Sequence, residues 1–271
     1  MPKIIIINAG QKAELLPADS SFCHGYALFE TLRVDSKRLL FWKSHWDRLK
    51  LSAQQLGFQC DYEESAVIAA IRELVQSDNI NDGVLKLSLC SEQLFIYARP
   101  SLPSPQGSVR LKLDTTCPLN EHSPIAGHKM HNYAENWHLL NAARADNYYD
   151  VLRINTSGFL SETAVANFFF IRNNSLYSPS LCTGALPGVT RQIVLQSARL
   201  AEINAQEGSY LIDALKDIDA AFITNSSLGI IPVDSIEGEA LEMHKSSEAH
   251  PVVSTLIDLL ASAKDRDLLL L

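Results

Sequence analysis

The stretch GHKMHNYAENW, residues 127–137, is where the chain changes character. Before it, from Thr115 to Gly127, Pro118, Pro124 and Gly127 interrupt any regular pattern, and long apolar side chains are sparse. Such a stretch reads as a connection between domains. After it, apolar spacing predicts a helix from about Asn132 to Ala145. The chain therefore divides into a small α+β domain over residues 1–115, a linker over 116–127 and a larger domain over 128–271.

Toward the N-terminus, Ile4 to Asn8 reads as a strand ended by Ala9-Gly10. Leu28 to Val34 reads as a second, with Asp35-Ser36 as a turn into Leu39 to Phe41. Ser44, with Asp47 three residues on, reads as the cap of a helix carrying Trp46, Leu49, Ala53 and Leu56 on one stripe, stopped by Gly57. A second helix is expected over Tyr62 to Val75, and strands over Val84 to Leu89, Leu94 to Ala98 and Val109 to Leu113. Toward the C-terminus, Val151 to Asn155 reads as a strand, and Asn173-Asn174 as the turn of a hairpin between Asn167 to Ile171 and Leu176 to Ser178. Gly188-Val189-Thr190 leads into a helix over Arg191 to Glu202. Ala220 to Thr224 is a short apolar strand, and Val252 to Leu260 a late helix.

Composition narrows the function classes. In 271 residues, 46% are hydrophobic and 20% charged, an ordinary globular mix. Lys and Arg total 23 against 31 Asp and Glu, a net charge of −8, so the basic excess of a nucleic-acid binder is absent. No apolar run approaches the roughly 20 residues that cross a membrane. The opening MPKIIIINAG has one basic residue and reads as a buried strand, not a signal peptide. Cys23, Cys60, Cys90, Cys117 and Cys182 are odd in number and scattered without a CxxC, which points to thiols in a reducing cytoplasm. His128 and His131 have no neighbouring ligand pair, so no metal site is expected.

Five places could carry chemistry. Lys129 is a solvated charge in most contexts. An amine shielded from water, however, loses some preference for its charged state and can attack a carbonyl to form a Schiff base. Glu162 in FLSETAVANFFFI is either a turn carboxylate or the partner of a protonated heterocyclic nitrogen. GALPGVTR, residues 184–191, is either a plain helix cap or a phosphate cradle in which Val189 and Thr190 offer N–H groups and a hydroxyl. TNSSLGIIPV, residues 224–233, is a turn or a second anion loop through Ser226 and Ser227. Arg48 is a surface charge or a phosphate clamp.

In order and spacing these stretches resemble the class IV aminotransferase family of pyridoxal-phosphate enzymes. The resemblance runs from HGYALFETLRV (24–34) and HWDRL (45–49) through KMHNYAENW (129–137), GFLSETAVANFFF (158–170) and LPGVTR (186–191) to TNSSLGIIPV. It implies fold type IV, the D-amino acid aminotransferase-like architecture of a small α+β domain followed by a larger α/β barrel-like domain, with pyridoxal 5'-phosphate held between the two domains of a cytoplasmic homodimer. It further implies that Lys129 carries the cofactor as a Schiff base and moves the substrate proton, and that Glu162 pairs with the pyridine nitrogen. Arg48, Val189, Thr190, Ser226 and Ser227 would hold the cofactor, and Tyr133 lies near where the family approaches its phenolic oxygen. Among the family's branches, FETLRV and TNSSLGIIPV look most like the lyases that release pyruvate from 4-amino-4-deoxychorismate to give 4-aminobenzoate for folate. Transamination of D- or branched-chain amino acids, and a cofactor-binding homologue without activity, are the alternatives. No nucleic-acid or membrane partner is implied.

The pattern departs from the family in two places. An aromatic-Gly-Asp-Gly run before FET is here His24-Gly25-Tyr26-Ala27. Where relatives place Arg-Gly after the strand at 84–90, this chain has Ser91, although an arginine there can meet a substrate carboxylate. His24, Tyr26, Thr31 and Lys86 are the candidate substrate contacts for an anionic small molecule.

Overall fold

The computed structural model describes residues 3–7, 20–91, 93–101, 103–237, 249–267 and 269–271, so the expected strand end at Asn8 to Gly10 lies outside the described residues. The chain forms two compact units. One comprises residues 1–103, 128–133 and 264–271, and the other 104–127 and 134–263. The division thus falls near Pro103, ahead of the 115 boundary read from sequence, and the segment around Lys129 returns to the first unit.

The first unit is a sheet backed by helices. Its strands are β1 (Lys3–Ile7), β2 (Ala27–Asp35), β3 (Arg38–Leu39), β4 (Gly83–Cys90) and β5 (Gln93–Pro100), in the order β1-β5-β4-β2-β3. The C-terminal pair Leu269–Leu270 adds to β3. Only β1 and β5 run parallel. Strand periodicity of two sends Leu28, Leu32, Leu85, Leu87, Leu89, Leu94 and Ile96 to one face, all fully or almost fully buried. After the short α1 (Ser20–His24), α2 (Trp42–Leu56) and α3 (Glu64–Ser77) supply Trp46, Leu49, Val67, Ile71 and Leu74 to the core. The other face carries the cross-strand rows Thr31–Lys86–Tyr97 and Phe29–Ser88–Phe95.

Helix α2 starts earlier than the sequence predicts, and Ser44 and Asp47 lie inside it. Its N-cap is Phe41, in the left-handed region at φ 57°, and the Phe41 N–H donates to the carboxylate of Asp267. A residue more than two hundred positions away caps the helix, so no local pattern could place its start.

The second unit is built on a closed ring of strands. It comprises β6 (Val109–Leu119), β7 (Asp150–Asn155), β8 (Leu160–Thr163), β9 (Asn167–Arg172), β10 (Ser175–Pro179), β11 (Ala205–Gly208), β12 (Ala220–Asn225) and β13 (Gly229–Glu237). The order is β11-β10-β9-β12-β13-β6-β7-β8, and β8 pairs back onto β9 through Glu162 opposite Asn167. Six strands therefore close a barrel, with β10 and β11 extending from β9. Leu111, Leu152, Leu160, Phe168, Phe170, Ile223 and Val233 fill it. Alternate residues Phe169, Ile171, Ala220 and Phe222 face outward, under α5 (Val189–Leu200) and α6 (Pro251–Arg266). Before the ring's second strand, α4 (Ala134–Ala145) packs Leu140 and Ala143 against Val151.

Strand β6 runs through the first part of the stretch that reads as linker. Its partners, β13 and β7, come from far along the chain and pair parallel to it. The five cysteines are all thiols, none in a disulfide. No described helix is long and apolar enough to cross a membrane.

Candidate active site

In the first unit, residues 129–131 lie along the open edge of β2. The Phe29 N–H donates to Lys129 O at 2.9 Å and the His131 N–H to Ala27 O at 2.8 Å. This pairing fixes the Lys129 side chain against Phe29, with Nζ 4.4 Å from the ring centroid and 5.8 Å from that of Tyr133. Lys86, from the row beside it, places its own Nζ 4.2 Å from the same Phe29 ring. His131 and Tyr133 meet Phe29 edge-on. Two ammonium groups thus share one aromatic ring, a cation–π arrangement. Burial, then the charge of Arg99, holds the Lys86 ammonium below the ordinary lysine range. Burial, then Lys86, pushes His131 down to about 4, so its ring is neutral at pH 7, with Nε2 3.0 Å from Ser88 Oγ. Lys86 makes no ion pair with any described carboxylate.

Arg48 lies on α2, where a second buried cluster forms. Its Nε donates to Glu30 Oε1 at 2.8 Å and its Nη2 to Oε2 at 2.5 Å, a bidentate fork. His45 Nδ1 lies 2.6 Å from the same Oε2. Burial alone would raise the Glu30 carboxyl, but Arg48 and His45 more than reverse this and hold it at about 2. Burial keeps His45 below the ordinary histidine range, and its Nε2 has no hydrogen-bond partner. The result is a guanidinium held rigid by its carboxylate.

In the second unit, Glu162 Oε2 accepts from Asn167 Nδ2 at 3.1 Å and from the Leu186 N–H at 3.0 Å, and Asn167 Nδ2 also donates to Leu186 O at 2.8 Å. The barrel-closing rung is therefore also the device that orients Glu162. Gly188 approaches Asn167 so closely that a Cβ there would sit 1.9 Å from its Oδ1. Val189 and Thr190 form the buried first turn of α5, and the N-cap Gly188 has no side chain to satisfy the helix's leading N–H groups. Ser226 and Ser227, half-buried, form the β12–β13 turn, braced by Asn225 Oδ1, which accepts from the N–H groups of Ser227 and Leu228. Thr224, opposite Asn167 in register, has a buried hydroxyl with no hydrogen-bond partner. That unsatisfied hydroxyl, beside helix N–H groups and small hydroxyl-bearing turn residues, fits a phosphorylated ligand.

The first unit thus brings together Lys129, Tyr133, Lys86 and Thr31, and separately Arg48 with Glu30. The second brings Glu162 together with the loop before Val189 and Thr190. His24 ends α1 and is exposed. Tyr26 stacks on Phe58 at 4.7 Å and donates its hydroxyl to Leu56 O, so it braces the end of α2. Sequence reading missed Glu30, His45, Asn167 and Thr224. Each is a buried polar residue inside an apolar strand or helix, and its hydrogen-bonding duty shows only when partners from other elements are in place.

A profile of the family described as Amino-transferase class IV matches residues 27–236. The chain belongs to the class IV aminotransferases. As a class IV aminotransferase it has the type IV fold, and membership implies a pyridoxal-phosphate enzyme acting on a small molecule. It is 26% identical over 262 residues to the aminodeoxychorismate lyase of Bacillus subtilis (strain 168), covering 90% of this chain and 87% of that one. It is 30% identical to a Legionella pneumophila protein assigned as a 4-amino-4-deoxychorismate lyase. That crystal structure superposes with a TM-score of 0.87 over 97% of this chain and all of the other. A branched-chain aminotransferase from the thermophilic archaea Thermoproteus uzoniensis, solved with norvaline, shares the fold at 22% identity and a TM-score of 0.83, covering 94% and 91% of the two chains.

Proposed function

We propose that this class IV aminotransferase homologue is a 4-amino-4-deoxychorismate lyase, releasing pyruvate and leaving 4-aminobenzoate. The observation that carries the reading is the open face of the first sheet, where Lys86 and Lys129 share the Phe29 ring. One amine serves the chemistry and the other receives a carboxylate of the anionic substrate.

Pyridoxal phosphate, when bound, supplies a protonated ring that accepts the electron pair of a breaking C–H bond. Lys129 Nζ would hold the cofactor, and once displaced by the substrate amine would take the proton from the amine-bearing ring carbon. Glu162, aimed by Asn167 and the Leu186 N–H, would keep the ring nitrogen protonated. The N–H groups of Val189 and Thr190, the hydroxyls of Thr190, Ser226 and Ser227, and Arg48 would hold the phosphate, with Tyr133 beside the phenolic oxygen. Lys86 would stand for the arginine that relatives place at position 91, with Thr31 next to it in register. In the substrate, the C–H electron pair becomes a ring double bond. The C–O bond to the enolpyruvyl group breaks with its electrons on oxygen, and the released enolate takes a proton on its methylene carbon to become pyruvate. Aromatisation drives the reaction.

The test adds 4-amino-4-deoxychorismate to the protein reconstituted with pyridoxal phosphate. Pyruvate is followed through lactate dehydrogenase and reduced nicotinamide, and 4-aminobenzoate by fluorescence. Equimolar release of both without a 2-oxo acid is expected, with turnover and the cofactor's visible band lost in Lys129→Ala. Amino transfer to 2-oxo acids without pyruvate release would replace this reading with transamination. A homodimer belongs to the same reading and would elute at twice the protomer mass.

A further inference from the structure

We propose that Asp150 is a positioning residue whose carboxylate clamps the turn 163–166 and so holds Glu162 and Asn167 in their paired geometry. The proposal rests on the reading of Glu162 given above.

Asp150 opens β7 and is completely buried. Its Oδ1 accepts from the Val151 N–H at 2.8 Å and the Ala164 N–H at 3.1 Å, and its Oδ2 accepts from the Thr163 hydroxyl at 2.7 Å. The Val165 N–H donates to it as well. Three of these four donors belong to the turn that joins β8 to β9. The turn is also tied internally, by the Thr163 N–H to Ala166 O at 2.8 Å and the Ala166 N–H to Thr163 Oγ1 at 3.0 Å. From the other side, Asn136 on α4 donates its Nδ2 to Ala164 O at 2.7 Å. The residues flanking the clamped turn are Glu162 and Asn167, the rung by which β8 meets β9.

Asp150 has no cation among its hydrogen-bond partners, and burial raises its carboxyl to about 6. A buried carboxylate with only neutral donors is a costly anchor. Its advantage over an amide is acceptor capacity on both oxygens. An asparagine would offer one oxygen and turn an NH2 toward donors. The mechanism proposed above makes no use of Asp150, so the geometry it secures is the role left to it. Misplacing an acid–base group by about an ångström is enough to cost a hundredfold in rate, and Asn167 and the Leu186 N–H both take part in aiming Glu162.

The test compares wild type with Asp150→Asn, Thr163→Val and Thr163→Ser, each also in a Glu162→Gln background. Amide exchange is read in cofactor-free protein, and the pH titration of the visible band and kcat in the pyridoxal-phosphate-loaded enzyme. Asp150→Asn is expected to speed exchange of residues 163–167 about tenfold or more while distant amides keep their rates, and to shift the band's titration. It should cut kcat about tenfold or more in wild type but cause no further loss beside Glu162→Gln. Thr163→Val should act in the same direction and Thr163→Ser restore wild-type values. Unchanged exchange at 163–167, or an equal kcat loss in both backgrounds, overturns the proposal. If Asp150→Asn does not fold, the Thr163 pair decides by the same readouts. If wild-type protein takes up no pyridoxal phosphate, the functional reading falls, and exchange still decides whether Asp150 clamps the turn.

Discussion

Glu30→Gln tests the buried cluster on α2. In the folded protein the Glu30 carboxyl titrates at about 2 against an ordinary 4.5, a difference of 2.5 pH units. At about 1.4 kcal/mol per unit this is about 3 kcal/mol of stability at neutral pH. Removing one partner of a buried ion pair points to a similar size, about 3–5 kcal/mol. Glutamine keeps one acceptor oxygen for Arg48, so the lower figure is expected. Because the folded value is depressed, the contribution is full above pH 4.5 and lost as pH falls toward 2. About 1 kcal/mol should remain at pH 3. Urea unfolding of cofactor-free protein followed by tryptophan fluorescence is the assay. Trp42 and Trp46 stack on each other in α2 itself, so their signal reports this unit. With an m-value of about 1–3 kcal/mol per molar, the midpoint should fall by about 1–3 M at pH 7.5, and the gap to wild type should narrow at pH 3. A loss under about 1 kcal/mol, or a gap constant across pH, would refute the view that Glu30 is an ion-paired anchor.

Two further substitutions bear on the site. Gly188→Ala meets no backbone strain, since φ is −63°, but its Cβ collides with Asn167 Oδ1, so Asn167 must abandon Glu162. Losing that hydrogen bond should weaken pyridoxal-phosphate binding about tenfold in an absorbance titration, and wild-type affinity would show that Asn167 does not act through Glu162. Lys86→Met keeps an unbranched side chain one atom shorter and removes its charge. It should raise KM for an anionic substrate about 10- to 100-fold with kcat and the cofactor band little changed, whereas an unchanged KM would remove Lys86 from the substrate site.

Local signals in the sequence carried a good part of the fold. The hairpin between β9 and β10 was legible because Asn173-Asn174 is a pair that tolerates left-handed backbone, and the two residues adopt φ of 50° and 55°. Helix α5 was legible from its glycine entry, although it starts at Val189, two residues ahead of the expected Arg191. Illegible were the features whose cause lies far along the chain: β6 running into the apparent linker, the Asp267 cap on α2, and the closure of the barrel at Glu162 and Asn167. The site divides in the same way. Lys129, Glu162 and the LPGVTR loop stand out as polar residues at element boundaries. Glu30, His45 and Asp150 sit inside buried elements, and nothing in the sequence separates a polar residue held there by partners from one that points to solvent.

His131, His45 and His128 in the first unit respond to acid oppositely to Asp150 in the second. His131 is held at about 4 and His45 and His128 are lowered, by burial foremost in all three, so each takes up a proton less readily in the folded first unit than in the unfolded chain. A depressed histidine loses stability as pH falls through its unfolded value of 6.5, so the first unit weakens from about pH 6.5 downward. Asp150 has the reverse sign. Its folded value of about 6 lies above the ordinary 3.8, so the second unit gains stability as pH falls from 6 toward 3.8. Glu121, held at about 2 by donors from Ser157 and Thr156, counters this only below pH 4.5. Between pH 6 and 4.5 the first unit should therefore loosen while the second tightens. In an acid titration of cofactor-free protein, the fluorescence of buried Trp46 should change before the amides of the barrel strands lose protection from exchange. In Asp150→Asn the barrel's gain on acidification should vanish while the tryptophan transition stays where it is. Coincident loss of both signals in wild type would mean that the units unfold as one, and that the histidines and Asp150 offset each other within a single cooperative transition.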